Sequence, residues 1–192
     1  MLKPEFRVIG FDDGPFTRKS KRVMVIGVVF RGGKFLEGVL RTYVKVDGLD
    51  ATEKIAKLLN SSRHKQQLKL IMLDGITMGG FNLIDIKELN KLTYLPVIVI
   101  NRKKPNLKEV KKALQKFEDF ETRWKIVKNA GKIKKMITIK GKELYYQHVG
   151  ISEEEAEEAI NLTISRSDIP EPLRVAHIIV SGVVRGESYG RA

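Results

Sequence analysis

A chain of 192 residues suits one domain with a sizeable core, and with no cysteine it excludes disulfides, thiolate catalysis and zinc–cysteine sites. No run of about eighteen apolar residues exists to span a bilayer. Thirty-six Lys and Arg against 23 Asp and Glu give a formal net charge of +13, which favours polyanions such as nucleic acid and also fits the Lys/Glu-rich surface of a heat-adapted protein.

In chain order, residues 7–11 read as a short strand running into the acidic turn Asp12-Asp13-Gly14. Residues 23–30 are nearly all apolar and valine-rich, as a buried strand requires. Arg31-Gly32-Gly33-Lys34 is a hairpin turn, and residues 35–46 return as the paired strand. A helix follows over residues 51–59, with Asp50 and Glu53 at the spacing of an N-cap and its reciprocal partner. Residues 68–73 form another buried strand, stopped by Asp74-Gly75. The loop beyond contains Gly75, Gly79 and Gly80 and leads to a helix over residues 83–92. Residues 96–100 are a further apolar strand ending at Arg102-Lys103-Lys104. Asn106 caps a lysine-rich helix to residue 116, and a second helix runs to residue 128. Residues 135–139 and 144–148 form a hairpin. Ser152, with Glu155 three residues on, opens one helix, and Pro170-Glu171-Pro172 opens another that continues to residue 184. Residues 186–191 read as a loop tail.

This order describes a single α/β domain over residues 1–192. Its mixed sheet begins with antiparallel hairpin strands, continues with parallel ones, and is flanked by helices. Parallel strands bring their C-terminal ends to one edge, where ligands bind. Asp12, Asp13 and Asp74 all stand immediately after strands, where carboxylates from distant parts of the chain can share a hard cation such as Mg²⁺ or Mn²⁺. Two such ions can activate a water and stabilise the leaving oxygen of a phosphodiester. Asp50 or Glu53 could complete the acid set. Each acid alone is also ordinary turn or cap chemistry, and only their joint occurrence suggests a site.

Arg174, His177 and Ser181 share one face of an otherwise apolar helix, so that polar stripe needs partners. Arg102 directly follows a buried strand and can meet a phosphate or neutralise charge in a transition state. Arg18 and Arg22 form a second basic cluster with Lys19 and Lys21. Gly79 and Gly80 could let backbone approach a base or phosphate. Phe16, Tyr43 and Phe81 are aromatic candidates for stacking, though each reads first as core, whereas His64 and His148 read as surface residues.

Taken together, these segments resemble endonuclease V and, more closely and nearly end to end, the endonuclease dU family. Gly10-Phe11-Asp12 looks like the first strand of that superfamily and Leu73-Asp74-Gly75 like its second acidic strand end. The strand at residues 96–102 resembles one that ends in a site lysine, here Arg102. Pro170-Glu171-Pro172-Leu173-Arg174 resembles its closing helix and puts His177 at the site. The Pro-Tyr-x-Pro wedge of endonuclease V is missing, and Arg41-Thr42-Tyr43-Val44 occupies about that place, so its catalytic glutamate falls on Asp50 or Glu53. The resemblance implies a ribonuclease H-like fold and Mg²⁺- or Mn²⁺-dependent cleavage of DNA bearing deaminated bases, notably deoxyuridine. The composition, with no cysteine, no bilayer-length apolar run and no basic-then-apolar start, reads as a cytoplasmic protein with no membrane partner, and the expected cleavage makes it a DNA-repair enzyme. RNA as substrate and a non-catalytic nucleic-acid-binding role are the alternatives.

Overall fold

The computed structural model describes residues 3–190, so Arg191 at the end of the expected tail lies outside them. Nine strands and six helices alternate along these residues. Strand β1 (Arg7–Asp13) pairs antiparallel with β2 (Arg22–Arg31), which pairs antiparallel with β3 (Phe35–Lys45). Helix α1 (Ala51–Asn60) then leads to β4 (Leu68–Asp74), which lies parallel to β1 on its other side. Next come a two-stranded ribbon, β5 (Thr77–Met78) with β6 (Asn82–Leu83), helix α2 (Ile86–Thr93) and β7 (Val97–Asn101), which is parallel to β4. Helices α3 (Leu107–Leu114) and α4 (Phe120–Asn129) precede the hairpin β8 (Lys134–Ile137) and β9 (Glu143–Val149). Helices α5 (Glu153–Thr163) and α6 (Glu171–Arg185) complete the chain. The main sheet has the order β3-β2-β1-β4-β7-β9-β8, so the three parallel strands are its centre.

The continuous apolar runs of β1, β4 and β7 follow from burial on both faces. On one face Ile9, Phe11, Ile71, Leu73 and Val99 pack against Ile55 and Leu59 of α1 and Leu89 of α2. On the other, Val8, Leu70, Met72 and Ile98 pack against Ile160 of α5 and Leu173, Ala176 and Val180 of α6. Helices α3 and α4 carry a satellite core of Leu114, Val127, Phe117 and Trp124 that reaches Leu83 and Phe81. Among the described residues no helix is long and apolar enough to cross a membrane.

Two local expectations change. The helix anticipated from residue 83 starts at Ile86, because the Asp85 side chain accepts hydrogen bonds from the Lys87 and Glu88 N–H groups, and the residues before it pair as β6. Asp50 holds the N-cap position of α1 but makes no side-chain cap there. Its Oδ1 accepts from Lys45 N at 3.1 Å and from Asn82 Nδ2 at 2.7 Å, while Asn82 Oδ1 accepts from Ala51 N at 3.0 Å. The cap of α1 is therefore supplied from β6. A side chain 31 positions away replaced the local one, which no spacing rule can register.

Candidate active site

Strands β1 and β4 stay in register to Phe11 opposite Leu73, so Asp12 and Asp74 are the next residue on each. Neighbouring strands lie about 4.8 Å apart and alternate their side chains, which puts both carboxylates on the α6 face at the C-terminal edge. Asp12 is 7% exposed. Burial, then the charges of Asp74 and Asp13, push its carboxyl up to about 7 against the lowering influence of His177. Asp74 is raised chiefly by burial, and Arg102 and His177 oppose the rise. Asp13 is likewise raised by burial, with the Gly79 N–H opposing. Three acids are thus packed where water solvates them poorly.

Helix α6 reaches this edge because Gly10 has no side chain. A Cβ there would sit 2.6 Å from the carbonyl carbon of Pro172 and 2.9 Å from Leu173 N. This close approach brings His177 Nδ1 to 2.9 Å from Asp12 Oδ2, a hydrogen bond between imidazole and carboxyl. Asp12 Oδ1 accepts from Asp13 N at 2.9 Å. Arg102, one residue beyond β7, donates from Nη2 to Asp74 Oδ2 at 3.3 Å. Arg174 does not reach the acids directly. Its Nε and Nη2 lie 3.0 and 2.6 Å from Glu171 Oε2, and Glu171, 3% exposed, also accepts from Arg166 N at 2.8 Å. In the sequence Glu171 is legible only as part of a helix start. Its burial beside Arg174 shows that it fixes that guanidinium.

The structure gathers Asp12, Asp74, Arg102 and His177, leaves Asp13 next to them with its side chain turned away, and separates Asp50 and Glu53 from them. Asp50 is committed to Lys45 and Asn82, as above. Glu53 lines a separate groove with Leu49, Lys57 and Lys125, and neither acid is among the charges that act on Asp12, Asp13 or Asp74. The helix that carries Glu53 packs on the sheet face opposite α6.

Asp13 points into the following loop instead of joining Asp12. Its Oδ2 accepts from Gly79 N at 2.8 Å, so that N–H is not directed at a ligand. Gly79 and Gly80 have φ of +66° and +82°, a region suited to glycine, and a Cβ on Gly80 would sit 2.3 Å from Asp47 Oδ1. Arg123, 3% exposed, secures this region by donating to the carbonyls of Phe81, Asp47 and Gly48 while pairing with Asp119. It carried no signal in the sequence, since Asp119 and Arg123 look like an ordinary surface pair on a helix.

A groove of about 370 Å³ runs past Asp12, Asp13 and His177 between Phe16 and Arg185. A second, of about 760 Å³, is lined by Arg102, Lys142, Arg166 and Arg174. Lys142 and Arg166 carry no signal in the sequence, because only folding brings them beside Arg102. Arg18 and Arg22 are exposed near the start of β2. Phe16 and Tyr43 are surface residues, 41% and 42% exposed, and Tyr43 carries the Arg41 guanidinium over its ring. Phe81 is partly buried in the satellite core. His148, expected at the surface, is half-buried and bonded to Ile151 O, and half-buried His64 fits against Gly38.

Among the described residues no group of three or more His, Cys, Asp or Glu closes around one point as a metal cage. The donors nevertheless suit a hard divalent ion. They are carboxylate oxygens on adjacent strands, buried and mutually repelling, and partly offset by two cationic or hydrogen-bonding side chains.

Residues 4–184 match the family model described as endonuclease dU. Over its full length the chain is 51% identical to a UPF0215 protein of Methanosarcina acetivorans, covering 97% of that relative. A crystal structure of a protein of unknown function from Archaeoglobus fulgidus is similar with a TM-score of 0.85 and 38% identity, over 94% of this chain and 99% of that one. Endonuclease V of Ciona intestinalis, solved with inosine-containing DNA, is similar in fold with a TM-score of 0.59 and 16% identity, over 88% and 81% of the two chains. The topology is therefore that of a ribonuclease H-like nuclease fold.

Proposed function

Since the chain belongs to the endonuclease dU family, we propose that this protein is a divalent-metal-dependent endodeoxyribonuclease, a cytoplasmic DNA-repair enzyme that nicks at or near deaminated bases, deoxyuridine among them. The observation that carries this reading is the placement of Asp12 and Asp74 side by side on adjacent parallel strands, each held by a partner from elsewhere. Asp12 and Asp74 would hold Mg²⁺ or Mn²⁺. The ion would supply Lewis-acid activation of water and charge neutralisation at the phosphodiester. His177 orients the Asp12 carboxylate, and Arg102 offsets charge at Asp74 and faces the basic groove. Arg174, fixed by Glu171, lines the same groove, where its guanidinium would meet a backbone phosphate. Exposed Arg18, Arg22 and Tyr43 belong to the wider nucleic-acid surface.

Duplexes carrying uracil, hypoxanthine, xanthine or an abasic site, with matched RNA strands, test the proposal with and without Mg²⁺. Nicking should require the metal, and Asp12→Asn and Asp74→Asn should each lower it by roughly 10³-fold or more while DNA binding persists. Undiminished cleavage in either variant removes that aspartate from the mechanism. Cleavage confined to RNA reassigns the substrate, and metal-independent binding without cutting leaves only a binding module.

A further inference from the structure

A partly open cavity of about 250 Å³ lies beside Gly75, the residue after Asp74. Its walls are apolar, with Ile76, Phe81 and Leu107 among them, but two carboxamides face it, Asn101 and Gln147. Both are on the same sheet face, since Val99 pairs with Gln147 and Asn101 with Tyr145 in the β7–β9 ladder. Gln147 is 5% exposed and cannot turn freely, because its Nε2 donates to Gly131 O at 2.9 Å. That leaves its Oε1 as an acceptor of fixed position. Asn101 makes no side-chain hydrogen bond among the described residues, and its Oδ1 sits near the space above Gly75. A half-buried amide with no partner, beside a fixed acceptor in an apolar cavity, is an arrangement that a planar polar ligand would complete.

We propose that this cavity receives a single extruded base presenting a lactam edge, a ring N–H beside a carbonyl oxygen, and that Gln147 and Asn101 read it. The volume falls just below the roughly 300 Å³ at which pockets for drug-sized ligands begin, so it suits one base and not a nucleotide. Gln147 Oε1 accepts from the ring N–H, and the Asn101 amide donates to the adjacent carbonyl. Deamination creates this edge: uracil and hypoxanthine have it, while cytosine and adenine present a bare ring nitrogen beside an amino group. Against those two, Oε1 would face another lone pair. Guanine and thymine share the edge and are held back by the cost of leaving a matched pair. The inference rests on the nuclease reading above only in naming DNA as the source of the base, and it assigns the choice of base to two residues outside the acidic cluster.

Labelled duplexes that differ only at one position opposite guanine (uracil, cytosine or an abasic site), with a fourth carrying hypoxanthine opposite cytosine, test it by equilibrium binding without divalent metal. The protein should bind uracil over cytosine by about ten-fold or more, and the hypoxanthine arm shows whether the purine also fits. Asn101→Leu, the volume-preserving Asn101→Asp and Gln147→Met should each cut the uracil preference to within about two-fold and leave abasic-site affinity unchanged. Thermal denaturation confirms folding, and the Asn101 variants decide the matter if Gln147→Met unfolds. Preference retained in the Asn101 variants overturns the proposal, as does an equal loss on abasic DNA. A protein that selects uracil yet never nicks with Mg²⁺ refutes the nuclease reading alone. One that nicks uracil duplexes with the same base preference after Asn101 is changed refutes the base pocket alone.

Discussion

At Asp12 the cost of the fold is electrostatic. Its carboxyl is shifted from 3.8 to about 7 by burial and by Asp74 and Asp13, so the folded chain binds this proton more tightly than the unfolded chain does. A raised acid contributes its stability in full below the unfolded value and loses it as pH climbs toward the folded one. Without metal, the protein should therefore lose stability between about pH 4 and pH 7, by on the order of 4 kcal/mol from this group. Asp13 and Asp74 shift in the same sense. Urea denaturation in a chelator at pH 4.5 and pH 8 checks this. Asp12→Asn should gain on the native protein as pH rises, and added Mg²⁺ should restore the native protein preferentially. A difference between the two proteins that stays flat with pH would show that the acids are not under this strain.

At the scale of elements, the site depends on how closely α6 approaches β1. Gly10 permits a contact that any Cβ would block at 2.6 Å from backbone, and His177 sits little more than one turn beyond that contact. Gly10→Ala should cost about 2 kcal/mol through overpacking. It should also lower metal-dependent nicking by about 100-fold, since displacement of a catalytic partner by around an ångström has that effect. Denaturation and single-turnover nicking measured on one preparation separate the two. Full activity with reduced stability would mean that the His177–Asp12 contact is dispensable. Most elements were readable from their residues: the apolar runs of β2, β4 and β7, the Asn106 and Ser152 caps and the proline start of α6 all lie within a few residues of where pattern and cap chemistry put them. The start of α2 was not, because a seven-residue stretch with mixed pattern was drawn into the β5–β6 ribbon and the satellite core.

For the whole molecule, the net charge of +13 becomes specific through position. In the groove beside Asp74, Arg102 is paired with Asp74 and Arg174 with Glu171, whereas Lys142 and Arg166 are in no side-chain ion pair among the described residues. Lys142→Ala with Arg166→Ala should then reduce the slope of log affinity against log salt by about two for duplex DNA, nearly uniformly across sequences. An unchanged slope would place the DNA on another face, such as that of Arg18 and Arg22.

That Asp12 and Asp74 lie at the ends of buried strands, and that His177 shares a helix face with Arg174, is legible in the residues alone, because strand and helix periods are local properties of side chains. So are the mixed sheet and its flanking helices. Which acids meet depends on long-range packing. Asp13 turned into the Gly79 loop, Asp50 was claimed by Asn82, and Glu53 went to the other face of the sheet. The same holds for Arg123, Glu171 and the Asn101–Gln147 pair, whose roles come from partners or neighbours supplied by other elements. Burial and long-range pairing are set by how layers stack, and no window of neighbouring residues contains that information.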